Sequence, residues 1–141
     1  MALSFYNSFA EDLADAGFDW VADDIRVALY NNTFTFVNTH NFRDDISANE
    51  IATGNGYLTG GLALDTKTAT AANPCVMSAA DEVIAQNGAG FTTARKYVLL
   101  KWVGTAATDP LICYGANGAD FGNVAGQLTL DVPASFITIT V

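Results

Sequence analysis

The sequence predicts a mainly β protein: an antiparallel β-sandwich or jelly-roll-like barrel with one short N-terminal α-helix. Three observations predict it. Apolar residues recur with period two in several short runs, Gly-, Asn- and Pro-rich turn signals separate those runs, and a helical period appears only near the N-terminus. Strands that do not alternate with helices pair antiparallel and bury one sheet against another. At 141 residues the chain is sized for one domain with one core, and 1–141 shows neither an internal repeat nor a linker.

The helix is expected over 4–16. Ser4 stands at the cap position, Phe5, Phe9 and Leu13 recur every four residues, and Gly17 follows as the stop. Glu11, Asp12 and Asp15 occupy the solvent side, and acids in the last turn oppose the helix dipole. Such a helix must gain its stability by docking its phenylalanines, either on its own domain or on a neighbouring subunit.

Period two begins at Ile25. Ile25, Val27 and Leu29 alternate with Arg26, Ala28 and Tyr30, a half-buried strand that Asn31-Asn32 ends. Residues 33–37 read equally as a return strand or a loop. An acidic, polar stretch follows, with a single helical turn near Phe42 to Ile46. Beyond the cluster GNGYLTGG, Leu62, Leu64, Thr66 and Thr68 alternate as a strand, and residues 75–80 form another short one. Residues 91–103 are apolar on both faces in their later half apart from Lys101, as in a central strand. Asp109-Pro110 turns the chain, Leu111 to Tyr114 pairs back, and GANGADFGN reads as loop. The tail alternates at Leu128, Leu130 and Val132, breaks at Pro133-Ala134-Ser135, and alternates again at Ile137, Ile139 and Val141.

Composition excludes several classes. Half the residues are apolar and the net charge is −9, which argues against disorder and against nucleic acid or an anionic membrane as partner. No run approaches the roughly 20 apolar residues of a membrane span. The first residues lack the basic flank and apolar stretch of a secretory signal, so synthesis and folding in a cytoplasm are expected, with Cys75 and Cys113 reduced.

Candidate chemistry is sparse. The glycine cluster has Thr59 where a dinucleotide fingerprint needs its third glycine, no Gly-Lys-Ser/Thr, and a strand instead of a helix after it. Gly54, Gly56, Gly60 and Gly61 therefore read as a backbone corner that delivers Tyr57 and Leu58 into a sheet edge. Asp120-Phe121-Gly122 matches a kinase tripeptide without any companion motif. Asp23, Asp24, Asp44, Asp45 and Glu50 lack the spacing of a calcium loop and read as a solvated surface. His40 is the one histidine, and nothing local couples it to Cys75 or Cys113 as a nucleophile pair. No catalytic, metal or cofactor site is expected.

Several segments together resemble a family of small structural proteins of tailed bacteriophages: IRVALYNNTFTF, THNFRDDISANEIATGNGYLTGGLAL, FTTARKYVLLKWVGTAATDPLICYGANG and LTLDVPASFITITV. Glu50, Gly54, Gly56, Tyr57, Gly60 and Gly61 are similar to the family's most specific element, although Gly54 stands one place further from Glu50 than the family pattern has it. The resemblance implies a non-enzymatic virion protein on the outer capsid surface, made in a bacterial cytoplasm. It implies capsid decoration, or cement, with the major capsid protein and further copies of itself as partners, often as a homotrimer. Tail, neck and fibre-base placements stay open. Phe5, Tyr6, Phe9, His40, Phe42 and Tyr57 are the interface candidates. A carbohydrate-binding module with Tyr57, Trp102 or Trp20 as stacking platforms is the alternative from another class.

Overall fold

A computed structural model describes residues 3–140 as a mainly β fold of antiparallel strands with an N-terminal helix. In chain order the elements are β1 (Ser4–Phe5), α1 (Asn7–Ala14), β2 (Ile25–Asn31), a 3-10 segment (Arg43–Asn49), β3 (Leu62–Ala63), β4 (Thr68–Ala69), β5 (Cys75–Ser78), β6 (Glu82–Ile84), β7 (Ala94–Lys101), β8 (Leu111–Phe121), β9 (Leu128–Leu130) and β10 (Ile137–Ile139). They form a five-stranded sheet in the order β1-β8-β7-β2-β3, a three-stranded sheet β10-β5-β4 and a ribbon β6-β9.

The helix is shorter than expected because Ser4 and Phe5 join the sheet. They pair with Tyr114 and Cys113 of β8, and the Tyr6 amide donates to the Ile112 carbonyl at 3.1 Å. An edge strand whose backbone groups need partners has captured the residues that would have made the first helical turn. At the other end Ala16, not Gly17, takes the left-handed conformation, with φ 54°, and the Gly17 amide donates to the Asp12 carbonyl at 2.8 Å. That is a Schellman closure with alanine in the glycine position. Phe9 docks edge-on to Phe18, with ring centroids 5.1 Å apart, so the helix packs on its own domain.

β2 is not half-buried but covered on both faces. It pairs with β7 from Ile25↔Lys101 to Asn31↔Ala94. Ile25, Val27, Leu29, Tyr97, Leu99 and Cys113 face one core, which the short sheets cover. Ala28, Tyr30, Val98, Leu100 and Leu111 face a second, capped by Tyr6, Phe34 and Ile46. Residues 33–37 are loop, and they carry Phe34 into this second core. Leu99 pairs with Cys113 and Leu100 with Leu111, so Ile112 is the extra residue of a bulge. The bulge lets Ile112 and Cys113 enter the same core.

Two further expectations are corrected. The Leu62-to-Thr68 run is broken at Thr66, with φ 49°, into β3 of the large sheet and β4 of the three-stranded sheet. A strand that changes sheets is how a sandwich turns a corner. The predicted loop GANGADF is instead the far half of β8. Its register jumps between Lys96↔Ala116 and Ala94↔Phe121, and Arg95 holds the outward bow through the Gly118 carbonyl, 3.0 Å, and Asp120, 3.4 Å. Glycine and asparagine announced a departure from regular pairing, and an arginine spans it.

Candidate functional site

The glycine cluster is built around a two-residue hairpin. Gly54 and Tyr57 exchange both backbone hydrogen bonds at 2.9 Å, with Asn55 at φ 55° and Gly56 at φ 90° between them. Positive φ at both central residues is the type I′ turn, for which Asn-Gly is the preferred pair. All four expected corner glycines, Gly54, Gly56, Gly60 and Gly61, have positive φ. A side chain at Gly56 would collide with the Ala85 carbonyl, and one at Gly60 with the Trp102 ring.

The corner delivers Tyr57 inward, as its pattern suggested, where it is 1% exposed. Its hydroxyl donates to Glu50 Oε1 at 2.9 Å and accepts from the Leu29 amide at 3.0 Å. Leu58 is the exception: it is 68% exposed and lies outside the sheet. Asn123, absent from any sequence motif, ties the corner to its surroundings. Its Nδ2 donates to the Asn55 and Ala85 carbonyls at 2.7 and 3.3 Å, while Oδ1 accepts from the Phe91 amide at 2.9 Å.

Glu50 links this corner to a buried ion network. Its Oε1 also accepts from the Gly60 amide, and its Oε2 lies 3.6 Å from Arg43 Nη1. Arg43 Nε donates to Asp109 Oδ2 at 3.0 Å, and Asp109 Oδ1 accepts from the Val103 and Gly104 amides at 2.7 and 3.0 Å. Asp109 was legible only as a turn residue; in the fold it is fully buried and organises the whole 103–109 turn. Burial raises the Glu50 carboxyl above its ordinary range, against the lowering pull of the Gly60 amide, Tyr57 and Arg43. Burial likewise raises Tyr57 and Tyr30, with the Glu50 charge adding to both.

Clusters of perturbed groups occur at catalytic centres and in structural ion networks alike. Glu50, Arg43, Asp109 and Tyr57 line neither the cavity between the large sheet and the segment 128–136 nor the shallower one beside Gly122. The network holds backbone amides and joins loops. The other candidates are scattered. Cys113 is buried, with its thiol pushed up by burial, and Cys75 is half-buried; both are free. His40 has its backbone amide on Val37. Asp23 and Asp24 pair with Lys101 and Arg26, Asp45 caps the 3-10 segment through the Asn41 and Phe42 amides, and no metal-holding group of His, Cys, Asp or Glu occurs among the described residues.

The proposed stacking platforms are engaged inside the fold. Trp20 is buried with its indole N–H on the Ser78 carbonyl, and Tyr57 is buried as described. The Arg26 and Arg43 guanidiniums lie over the Trp102 ring, 4.0 and 5.0 Å from its centroid.

Of the interface candidates, Tyr6, Phe9 and Tyr57 are corrected: each is buried within its own chain and offers nothing to a partner. Phe5 and Phe42 are 42% and 39% exposed, and His40 is half-exposed. Phe5 pairs with Cys113 and Phe42 bridges Pro110, so both stand along the outer edge of β8, roughly 10 Å apart at strand rise. The Asn7 amide donates to Asn38 O and brings exposed Val37 beside the same edge. No family model, curated protein or solved structure matches this chain.

All six basic side chains have an acceptor inside the chain. Arg26, Arg43, Arg95 and Lys101 form ion pairs, Lys67 donates to the Asp23 carbonyl, and Lys96 donates to the Asn32 and Phe34 carbonyls. The excess negative charge therefore remains on the surface.

Proposed function

We propose that this chain is a structural virion protein of a tailed bacteriophage that decorates the capsid and stabilises the head by binding the major capsid protein. The observation that carries the reading is the group of exposed apolar residues Phe5, Val37 and Phe42 near the start of β8, on a chain of net charge −9 whose cations all have internal partners. Phe5, paired with Cys113, and Phe42, bridged to Pro110, are held by backbone pairing, so little conformational entropy is lost when they dock. The acidic remainder keeps unbound copies apart and disfavours nucleic acid. Specific interfaces bury about 1,600 Å² in total, and repetition over a shell multiplies a modest gain per copy. The family resemblance of the glycine corner supports the same reading.

The test is the copy number of this protein in purified virions, measured against the major capsid protein, together with rebinding to stripped capsids. A copy number close to that of the shell subunit, with restored heat resistance on rebinding, supports decoration. A few copies per particle moves the protein to the tail, neck or fibre base. Absence from the virion sinks the reading.

A further inference from the structure

A cavity of about 280 Å³ lies between the large sheet and the segment 128–136. Val27, Leu64 and Tyr97 form its floor; Phe121, Leu128 and Leu130 are prominent in its walls. Three polar residues, Asn117, Thr129 and Asp131, stand at its exposed mouth. None of the buried ion network reaches it, and it lies away from the apolar edge at β1.

Size and lining define what it would take. A dry cavity of about 150 Å³ lined by aliphatic and aromatic groups accommodates benzene, so this volume has room for one aromatic ring with a short chain. The mouth defines the polar end. Asn117 Nδ2 donates to the Ala119 carbonyl at 3.0 Å, and Asn117 shares the mouth with Thr129 and the Asp131 carboxylate. Every basic side chain is engaged elsewhere, and the net charge is −9. A carboxylate or phosphate head would face the Asp131 charge there, whereas an ammonium would pair with it in a favourable field.

We propose that this cavity is a binding site for a small amphiphilic amine, with its apolar body between the sheets and its ammonium at the mouth, paired with Asp131. The site is independent of capsid attachment and is measurable on the isolated full chain. The probes are 2-phenylethylamine and 3-phenylpropionate, which share the ring and differ in the charge of the head, followed by methyl NMR of the leucines.

The amine is expected to shift the Leu64, Leu128 and Leu130 methyl resonances in a saturable way, and the carboxylate at equal concentration to leave them in place. Asp131→Asn should weaken the amine about two- to fivefold, the range of a surface charge pair. Leu130→Trp, which fills the cavity, should abolish the shifts. Equal binding of both probes, no leucine shifts with the amine, or unchanged affinity in Asp131→Asn overturns the proposal. Should Leu130→Trp fail to fold, the charge comparison and Asp131→Asn still decide it.

Discussion

The two sides of the large sheet are covered by different means. On one side, the loop 33–42 and the 3-10 segment close over Tyr30, Val98 and Leu100 with large aromatics and a buried ion network. On the other, two small sheets of strands two to four residues long lie across Val27, Leu29 and Leu99, and leave a cavity. The cavity lies on the side that the short strands cover. A loop can bend to the contour of a twisted sheet and carry its polar groups on buried side chains such as Arg43 and Asp109. A three-residue ribbon is stiff, offers alternate side chains to one face, and bridges over gaps.

The contrast can be broken most severely at the joint between the sides. Gly56→Val adds a branched side chain at φ 90° into the Ala85 carbonyl, where the corner meets the exit of β6. Strain and overlap together should cost about 2–6 kcal/mol, much of a typical domain's margin. Soluble, cooperatively folded protein with an unchanged urea midpoint would show that the corner yields.

Next in size is the ion network. Arg43→Met leaves Glu50 and Asp109 buried without their cation and should destabilise by about 3–5 kcal/mol, read as a lower urea midpoint. A loss below about 1 kcal/mol would mean that surface-like solvation reaches the network.

A matched pair then compares the two halves directly. Leu99→Ala empties a fully buried site in β7 and should cost about 2–5 kcal/mol, whereas Leu130→Ala in half-buried β9 should cost about 1 kcal/mol. Equal losses in chemical denaturation would contradict the looser packing of the ribbon side.

The smallest effect is a pH dependence of opposite sign at two carboxyls. The folded-state value of Glu50 is raised by burial, so the folded protein binds that proton more readily than the unfolded chain. Stability therefore falls as pH rises from the ordinary glutamate range, 4.5, through the folded value, and Glu50→Gln should flatten that slope. Asp45 is lowered by the Asn41 and Phe42 amides, so its contribution is present above the ordinary aspartate value, 3.8, and is lost as pH falls through the folded one. Urea midpoints across pH 3 to 7, roughly the carboxylate range, separate the two.

Much of the fold was legible in local pattern. Period-two alternation found β2, β9 and β10 nearly in place, 75–80 and the doubly apolar run 91–103 contain β5 and β7, Asn31-Asn32 ends β2, and Asp109-Pro110 lies in the turn from β7 to β8. β6 escaped notice because a glutamate, Glu82, takes one of its buried positions while Val83 faces outward, so its apolar alternation is hidden. Ser4 and Phe5 were assigned to the helix because helical spacing was the only local signal, while the pairing that claims them lies more than a hundred residues away on β8. At the candidate site, the glycines and Tyr57 stood out as a cluster, and Glu50 stood at its edge. Arg43, Asp109 and Asn123 did not, since nothing in a loop sequence says which polar residue will be buried.

Sequence alone determined the class: alternating apolar residues with turn residues between them can bury their apolar face only as paired strands. It also determined the acidic surface, because six bases cannot balance fifteen acids wherever they lie. Tertiary structure alone decided that GNGYLTGG is a hairpin turn whose tyrosine is hydrogen-bonded to β2, that three of six interface candidates are core, and that Glu50, Arg43 and Asp109 are one network. The physical reason is range. Backbone preference and side-chain alternation act over a few residues, whereas burial and ion pairing depend on which distant segments the fold brings together.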